Sequence, residues 1–205
     1  MKITKKILSF LLAALIVLSV VPLSVSAANG TDDGGFAWVS QGDSVRITGY
    51  TGGETDVVIP ESIDGLPVTR IYRYAFTNAN PPIERIVIPE GVTTLDMYAF
   101  ARCESLREIS IPSTITDIPE RAFHMTTSLT SIIFPNGNNI KSIGMYAFYK
   151  SACGNAPIGD KLETIKSAAF LGCKMDEVVI PSGVTNISGS AFSECSLKRR
   201  LFTKT

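Results

Sequence analysis

Apolar and polar residues follow one another through most of this chain in a unit that recurs every 22 to 25 residues. The unit is clearest in residues 106–123, where Ile109 and Ile111 are apolar and Ser110 between them is polar. This alternation with a period of two predicts a short strand with one buried face. Pro112 then ends the strand, because proline lacks the backbone N–H that a ladder needs.

The second half of the unit brings the chain back across the coil and ends at a large ring. Ile115 and Ile118 are three residues apart, which predicts a tight turn or a short 3-10 segment opposite the strand. The dipeptide Ala–Phe follows, and we expect its ring to fill the centre of the coil. Each coil then has an apolar face that only the next coil can cover. The phenylalanine recurs with spacings of 24, 23, 25, 22 and 22 residues, at Phe76, Phe100, Phe123, Phe148, Phe170 and Phe192.

These repeats predict a mainly β solenoid over residues 53–205, with about six coils, the C-terminal one incomplete. We expect one parallel sheet of six to seven short strands, with turns, 3-10 segments or short helices on the opposite side. Residues 28–52 are interpreted as a linker and an N-terminal cap, because apolar segments 36–39 and 45–47 flank turn residues 41–43. A hairpin there would cover the first coil and protect the sheet edge. The recurring ring position also predicts one continuous buried stack of Phe100, Phe123, Phe148, Phe170 and Phe192.

Two repeats depart from the pattern. In the fifth, Pro157 removes a strand donor and Gly154 adds backbone freedom, so we expect residues 151–160 to be the weakest part of the solenoid. In the last, Arg200 stands where the other repeats have an apolar residue.

The first 27 residues have the features of a secretory signal peptide. Three lysines lie among the first six residues, residues 7–21 are apolar, and the small-residue pattern of a cleavage site occupies residues 25–27. The apolar run is short for a membrane span, although an uncleaved anchor is the alternative. We therefore expect an exported, secreted or cell-surface protein with no membrane span after cleavage.

Charge gives no indication of a nucleic-acid partner. Removal of the signal segment takes three of the 19 basic residues and none of the 19 acidic ones, which leaves a mildly negative chain. The one basic cluster, residues 198–200, is too short to predict a binding patch.

The four cysteines raise the possibility of disulfides in an exported protein. Cys103, Cys173 and Cys195 each lie three residues after a repeat phenylalanine, a position that is otherwise occupied by small residues. Neighbouring coils would bring Cys173 and Cys195 close enough for a bridge, but with parallel Cβ vectors that suit one poorly. We expect four free, buried thiols, because cysteine packs well as a small apolar residue.

No pattern predicts a catalytic or metal site. His124 is the only histidine and has no partner in a recognisable motif. Asp32 and Asp33 lack the alternating ligands and closing glutamate of a calcium loop. No Cys-x-x-Cys pair indicates zinc. We expect no enzymatic activity, no metal and no cofactor.

The predicted strands would instead present two rows of side chains on one face. The residue between the two buried positions should point outward, as Val58, Val87, Ser110, Ile133, Pro157 and Val179. Two residues earlier lie Asp56, Arg85, Glu108, Ser131, Asn155 and Glu177. An apolar row beside a charged one marks an interaction surface, although β-branched residues also suit exposed strand positions in general. The candidate binding residues are Val58, Arg85, Val87, Glu108, Ser110, Ser131, Ile133, Glu177 and Val179.

The motif Leu-x-x-Ile-x-Ile-Pro, followed by Ile/Val-x-x-Ile-x-x-x-Ala-Phe-x-x-Cys, resembles the BspA-like leucine-rich repeats. The segments 47–50 and 63–68 are similar to the usual entry segment of that family, and the resemblance covers residues 36–202. It implies a curved leucine-rich-repeat solenoid on exported proteins, often associated with adhesion to host proteins or other cells. It brings no catalytic residues.

Three functions remain open at this point. The first is a binding module that presents its sheet face to a protein or glycan on host or neighbouring cells. The second is a polysaccharide-acting enzyme of the parallel β-helix kind, which would need clustered acids and cations across neighbouring coils. The third is a spacer or targeting fragment of a larger exported protein.

Overall fold

The computed structural model describes residues 29–154, 156–197 and 199–202, and for the last of these ranges the backbone alone. The predicted signal peptide, residues 1–27, lies outside the described residues. Within them, no helix is both long and apolar enough to cross a bilayer.

The described residues form short strands joined by turns. In chain order these are β1 (Asn29–Thr31), β2 (Phe36–Ser40), β3 (Val45–Tyr50), β4 (Asp56–Val58), β5 (Ser62–Ile63), β6 (Leu66–Ile71), β7 (Arg85–Val87), β8 (Thr94–Leu95), β9 (Glu108–Ser110), β10 (Asp117–Ile118), β11 (Ser131–Ile133), β12 (Ser142–Ile143), β13 (Thr164–Ile165), β14 (Glu177–Ile180), β15 (Asn186–Ile187) and β16 (Arg199–Phe202). The predicted mainly β solenoid of about six coils is confirmed.

The N-terminal segment is an antiparallel meander that leads into the solenoid. β1 pairs with β2, and β2 pairs with β3 across a turn closed by the Gln41 N–H and the Ser44 carbonyl oxygen at 2.8 Å. β3 then pairs in parallel with β6 of the first coil. Trp38 and Ile47 are buried against that coil, so the hairpin covers its apolar face.

The main sheet consists of one three-residue strand from each of the first four coils. β4, β7, β9 and β11 lie side by side in parallel, with Val57, Ile86, Ile109 and Ile132 in register and buried. β14 and β16 form a separate parallel pair, in which Arg200 lies opposite Val178. The sheet face is therefore divided into two parts.

The side opposite the main sheet has turns, as predicted, together with a second parallel ladder. β10, β12, β13 and β15 pair in order, and β8 pairs with β6. Ile118, which the sequence placed in a turn or 3-10 segment, belongs to a two-residue strand, and the described residues contain no 3-10 segment or helix. Coils in register place these extended segments side by side, where their backbone groups can pair.

Each Ala–Phe pair lies in a turn segment that also forms hydrogen bonds with the next coil; we call this third ladder the turn ladder. The Phe100 N–H donates to the Ala122 carbonyl oxygen at 2.9 Å, and the Arg102 N–H donates to that of His124 at 2.8 Å. The backbone two residues before each ring is left-handed, a conformation that costs a non-glycine residue about 1–2 kcal/mol. The inter-coil hydrogen bonds, each worth about 1 kcal/mol, offset that cost. The left-handed residues, with φ between 54° and 64°, are Tyr74, Tyr98, Arg121, Tyr146, Ala168 and Ser190.

The phenylalanine rings form one continuous buried column, as predicted. Successive ring centroids from Phe76 to Phe192 are 5.0 to 5.5 Å apart, and successive ring planes are within 10° of parallel. These separations lie in the range of about 4.5–7 Å that favours aromatic pairs. Every ring between the two ends of the column is fully buried.

The fifth repeat interrupts the main sheet. Residues 151–154 and 156–160 contain no strand. A Cβ atom on Gly154 would lie 2.6 Å from the carbonyl oxygen of Thr130, so the chain here runs against the preceding coil too closely for a side chain. The ring column nevertheless continues across this repeat from Phe148 to Phe170 at 5.3 Å.

Replacement of Phe123 by alanine should lower the free energy of unfolding by about 3–5 kcal/mol, because a fully buried ring is lost from the middle of the column. Chemical denaturation measures this change. The matched control is Phe134→Ala, which removes the same ring from a half-buried position outside the column and should cost less. An unchanged denaturation midpoint for Phe123→Ala would contradict the role of the column.

Amide exchange should be faster in residues 151–160 than in residues 106–111. The first segment has no strand, whereas the second contains β9, which pairs with strands on both sides. Hydrogen exchange followed residue by residue, or by mass spectrometry of peptides, measures the difference. Equal protection of the two segments would contradict this prediction.

Candidate binding surface

The main sheet presents a row of exposed aliphatic side chains. Val58, Val87 and Ile133 are 67%, 43% and 41% exposed, although each belongs to a strand whose central residue is buried. Val58 and Val87 lie opposite each other in the ladder, and Ser110 separates Val87 from Ile133. With strands about 4.8 Å apart, the row from Val58 to Ile133 spans about 14 Å.

Two members of the expected row are not exposed. Ser110 is only 9% exposed, because its small side chain lies between the longer side chains of Val87 and Ile133 on the flanking strands. Pro157 is buried, because the fifth repeat has no strand and the inward–outward alternation does not apply there. Val179 on β14 is 45% exposed, so it continues the row beyond the break.

The second row supplies charge beside the aliphatic one. Asp56, Arg85, Glu108 and Ser131 lie in register across the four strands. Arg85 donates to the carboxylate of Asp56, and this hydrogen bond, followed by the attraction of the charge, raises the pKa of Arg85. Glu108 and Ser131 are half-buried.

The last two positions of the second row, Asn155 and Glu177, do not belong to the main sheet. Glu177 on β14 is exposed. Asn155 lies outside the described residues. The structure therefore brings seven of the nine candidate binding residues together on β4, β7, β9 and β11. The fifth repeat separates Glu177 and Val179 from them.

Cys103, Cys173 and Cys195 occupy one column, three residues after the ring, whereas Cys153 lies five residues after its ring. The Sγ atom of Cys173 donates to the Phe148 carbonyl oxygen at 2.8 Å, and that of Cys195 to the Phe170 carbonyl oxygen at 2.9 Å. In each pair the thiol of one coil bonds to the backbone of the coil before it. No disulfide joins the four cysteines in the described residues, and burial raises the pKa of Cys103 to about 12. Cys195 is half-buried, whereas the other three are buried.

His124 lies on the surface of the turn ladder, outside the sheet face. Its ring stacks on that of Tyr149 with centroids 4.9 Å apart. Burial lowers the pKa of His124, and the charges of Arg121, Arg102 and Lys150 lower it further. Among the described residues, no group of three or more His, Cys, Asp or Glu side chains is arranged to hold a metal ion.

One cluster was missed by the sequence reasoning. Tyr74, Tyr98, Arg121 and Tyr146 occupy the same position of successive repeats, two residues before the ring. The sequence does place three tyrosines and an arginine at this position of the repeat. That these side chains point outward, however, follows only from the left-handed backbone of the turn.

Comparisons with known proteins agree with this architecture. The sequence model of a family described as "BspA type Leucine rich repeat region" matches residues 69–198 in six copies. No curated protein has a sequence that matches the chain.

Three solved structures are similar over most of the chain. A leucine-rich repeat protein of T. pallidum is 28% identical, with a TM-score of 0.55 over 85% of this chain and 67% of its own. A leucine-rich repeat protein of Bacteroides ovatus is 25% identical, with a TM-score of 0.55 over 85% of this chain and 39% of its own. A leucine-rich cell surface protein of Faecalibacterium prausnitzii is 24% identical, with a TM-score of 0.59 over 86% and 55%. The last similarity concerns the fold alone, and the chain spans only part of each of these proteins.

A thiol-specific reagent at pH 8 should label little of the folded protein, with Cys195 first, and four groups after unfolding. Burial keeps the Cys103 thiol protonated at this pH, because its raised pKa of about 12 falls back toward the ordinary value only on unfolding. Titration with and without denaturant measures this. Two or fewer reactive groups in denaturant would indicate a disulfide and contradict the free-thiol column.

Proposed function

Because this chain belongs to the BspA-type leucine-rich repeat family, we propose that it is an exported, non-catalytic binding module that holds a protein or glycan partner on its sheet face. The protein acts outside the cell that makes it. Its role there is adhesion to host or neighbouring cells. The proposal of export rests on the signal-peptide pattern of residues 1–27.

The exposed aliphatic row is the observation that carries this proposal. Val58, Val87 and Ile133 leave 41–67% of their surface in water on a rigid sheet, where a partner could cover them together. Full burial of one such side chain contributes about 1.5–3 kcal/mol. Single exposed apolar residues are ordinary, but several aligned in one row beside charged residues are typical of an interaction surface.

The charged row supports a role in orientation rather than in catalysis. Arg85 and Asp56 are exposed and bound to each other, so neither is held ready for a proton transfer. Exposed ion pairs contribute little to stability, but they can exchange partners when a ligand arrives. Charges at the rim of an interface mainly set specificity and association rate.

The double substitution of Val87 and Ile133 by lysine should abolish partner binding, because two charges would replace the centre of the aliphatic row. The exported chain is first titrated by surface plasmon resonance against purified extracellular-matrix proteins and cell-wall glycans, and the variant is then measured with each binder. The thermal midpoint should stay nearly unchanged, since both positions are exposed.

Ile187→Lys is the matched control for Ile133→Lys. Ile187 is 40% exposed and Ile133 is 41% exposed, but Ile187 lies on β15 in the second ladder. It should leave binding intact. Retention of binding by the sheet-face double variant, with a verified partner, would place the site elsewhere and contradict the proposal.

A further inference from the structure

A second surface, independent of the sheet face, is formed by aromatic and cationic side chains along the turn ladder. The rings of Tyr74 and Tyr98 stack with centroids 5.0 Å apart. The guanidinium carbon of Arg121 lies 5.5 Å from the ring centroid of Tyr98 and 4.9 Å from that of Tyr146. Arg121 also donates to the Tyr98 hydroxyl at 2.9 Å. Four successive coils therefore contribute one column to this surface.

A neighbouring column joins the first. The ring of His124 stacks on that of Tyr149. Tyr149 and Tyr146 form a T-shaped contact with ring centroids 5.8 Å apart. The Lys150 Nζ atom lies 5.2 Å from the Tyr149 centroid. We call the two columns together, Tyr74, Tyr98, Arg121, Tyr146, His124 and Tyr149, the turn face.

Exposed cations beside the turn face give it positive charge in addition to that of the paired Arg121. Arg73, Arg102 and Lys150 are exposed, and in the part of the chain that the structure describes none of them lies within ion-pair distance of a carboxylate. Three cations also act on His124, whose buried Nδ1 atom has no hydrogen-bond partner among the described residues. The local excess of positive charge contrasts with the formal net charge of zero for the whole chain.

Two acids beside the turn face, Asp96 and Glu120, are already engaged. Asp96 accepts a hydrogen bond from the Nε atom of Arg70 at 2.7 Å, and its side chain is only 11% exposed. Glu120 accepts a hydrogen bond from Arg121, and both side chains are half-buried. Neither carboxylate is available to the exposed cations. Glu104, which is exposed and lines a further groove together with Arg102, is the acid with which an external anion would compete.

Two grooves flank the stacked Tyr74 and Tyr98 rings. The first, of about 470 Å³, is lined by both tyrosines together with Arg102 and His124. The second, of about 380 Å³, is lined by both tyrosines, by Met97, Leu95, Pro119 and Arg73, and by the ion pair of Arg70 and Asp96. Met97 and Tyr74 are 48% and 46% exposed. One groove therefore offers cationic donors, and the other offers an apolar floor beside a cation.

The ring arrangement favours a peptide over a sugar. Tyr98 contacts Tyr74 of the coil before it and Arg121 of the coil after it, so both ring faces are occupied. A sugar ring that stacks on tyrosine needs an open face, whereas carboxylates need donors and positively polarised ring edges. An apolar groove next to a cationic one matches a polypeptide in which apolar side chains alternate with acidic ones.

We propose that the turn face is a second docking surface, which binds an acidic polypeptide segment with apolar side chains between its carboxylates. The carboxylates meet Arg102, His124 and Lys150, and an apolar side chain lies against Tyr74 and Met97. Such a segment would belong to a partner protein different from, or additional to, the ligand of the sheet face.

The test uses a labelled synthetic peptide rich in glutamate with interspersed leucine, titrated with the exported chain by fluorescence anisotropy. The peptide should bind, and its affinity should fall as salt is added, because exposed charges are screened. The same peptide with glutamine for glutamate should not bind. Polygalacturonate, an acidic glycan, should also fail to bind.

Arg102→Gln should weaken peptide binding about tenfold, the loss expected for one charge-assisted hydrogen bond. Arg107→Gln is the matched control, because Arg107 is an exposed arginine that lies near Glu84 by the main sheet instead. Circular dichroism melts of both variants should match that of the parent chain.

The single histidine gives an independent readout. A bound carboxylate should raise the pKa of His124 in a proton-detected titration, because a nearby negative charge favours the imidazolium form.

Equal weakening by Arg102→Gln and Arg107→Gln would reveal unspecific charge attraction and overturn the proposal, as would absence of peptide binding. Binding of polygalacturonate in place of the peptide would assign the surface to acidic glycans and equally overturn it. A failure here leaves the sheet-face proposal untouched, because that proposal is tested with other probes and other variants.

Discussion

Contact between successive phenylalanine rings is the interaction on which the rest of this chain depends. The rings lie 5.0 to 5.5 Å apart and nearly parallel from Phe76 to Phe192. A single coil cannot bury its own ring, because each ring face is covered by the coil before it or the coil after it. The column therefore sets the distance between coils, and that distance brings the backbone of all three ladders within hydrogen-bonding range.

The fifth repeat shows which of these contacts is indispensable. No strand is present in residues 151–154 and 156–160, and the main sheet is divided there. The ring column crosses the same repeat without a gap, and so does the second ladder, in which β12 pairs with β13. A coil can thus lose its strand in the main sheet while the core of the solenoid continues. The cost falls on the sheet face, whose outward rows are interrupted.

Stacking in register converts each position of the repeat into a row of side chains. Inward rows are constrained to fit the core, whereas outward rows can carry any chemistry the backbone tolerates. The main sheet presents aliphatic residues beside an exposed ion pair. The turn face presents tyrosines, with exposed cations beside them. One core thereby supports two surfaces of different character, which suits a protein that we propose to act by binding.

The repeat alone was sufficient to predict the solenoid, its ring column and the small-residue column of cysteines, because a buried position must be apolar or small in every coil. The N-terminal hairpin was predicted from its own apolar segments on either side of a turn. Outward positions are under no such constraint, so their residue types do not reveal how exposed they are. The burial of Ser110 depends on the length of its neighbours across the ladder, and the burial of Pro157 depends on the loss of a strand. The sequence did not predict the turn ladder for a different reason. A left-handed residue is usually recognised as a glycine, and the left-handed residues here, such as Tyr98 and Arg121, are not glycines. Hydrogen bonds to the next coil hold them in that conformation, so only the tertiary structure decided which way these side chains point.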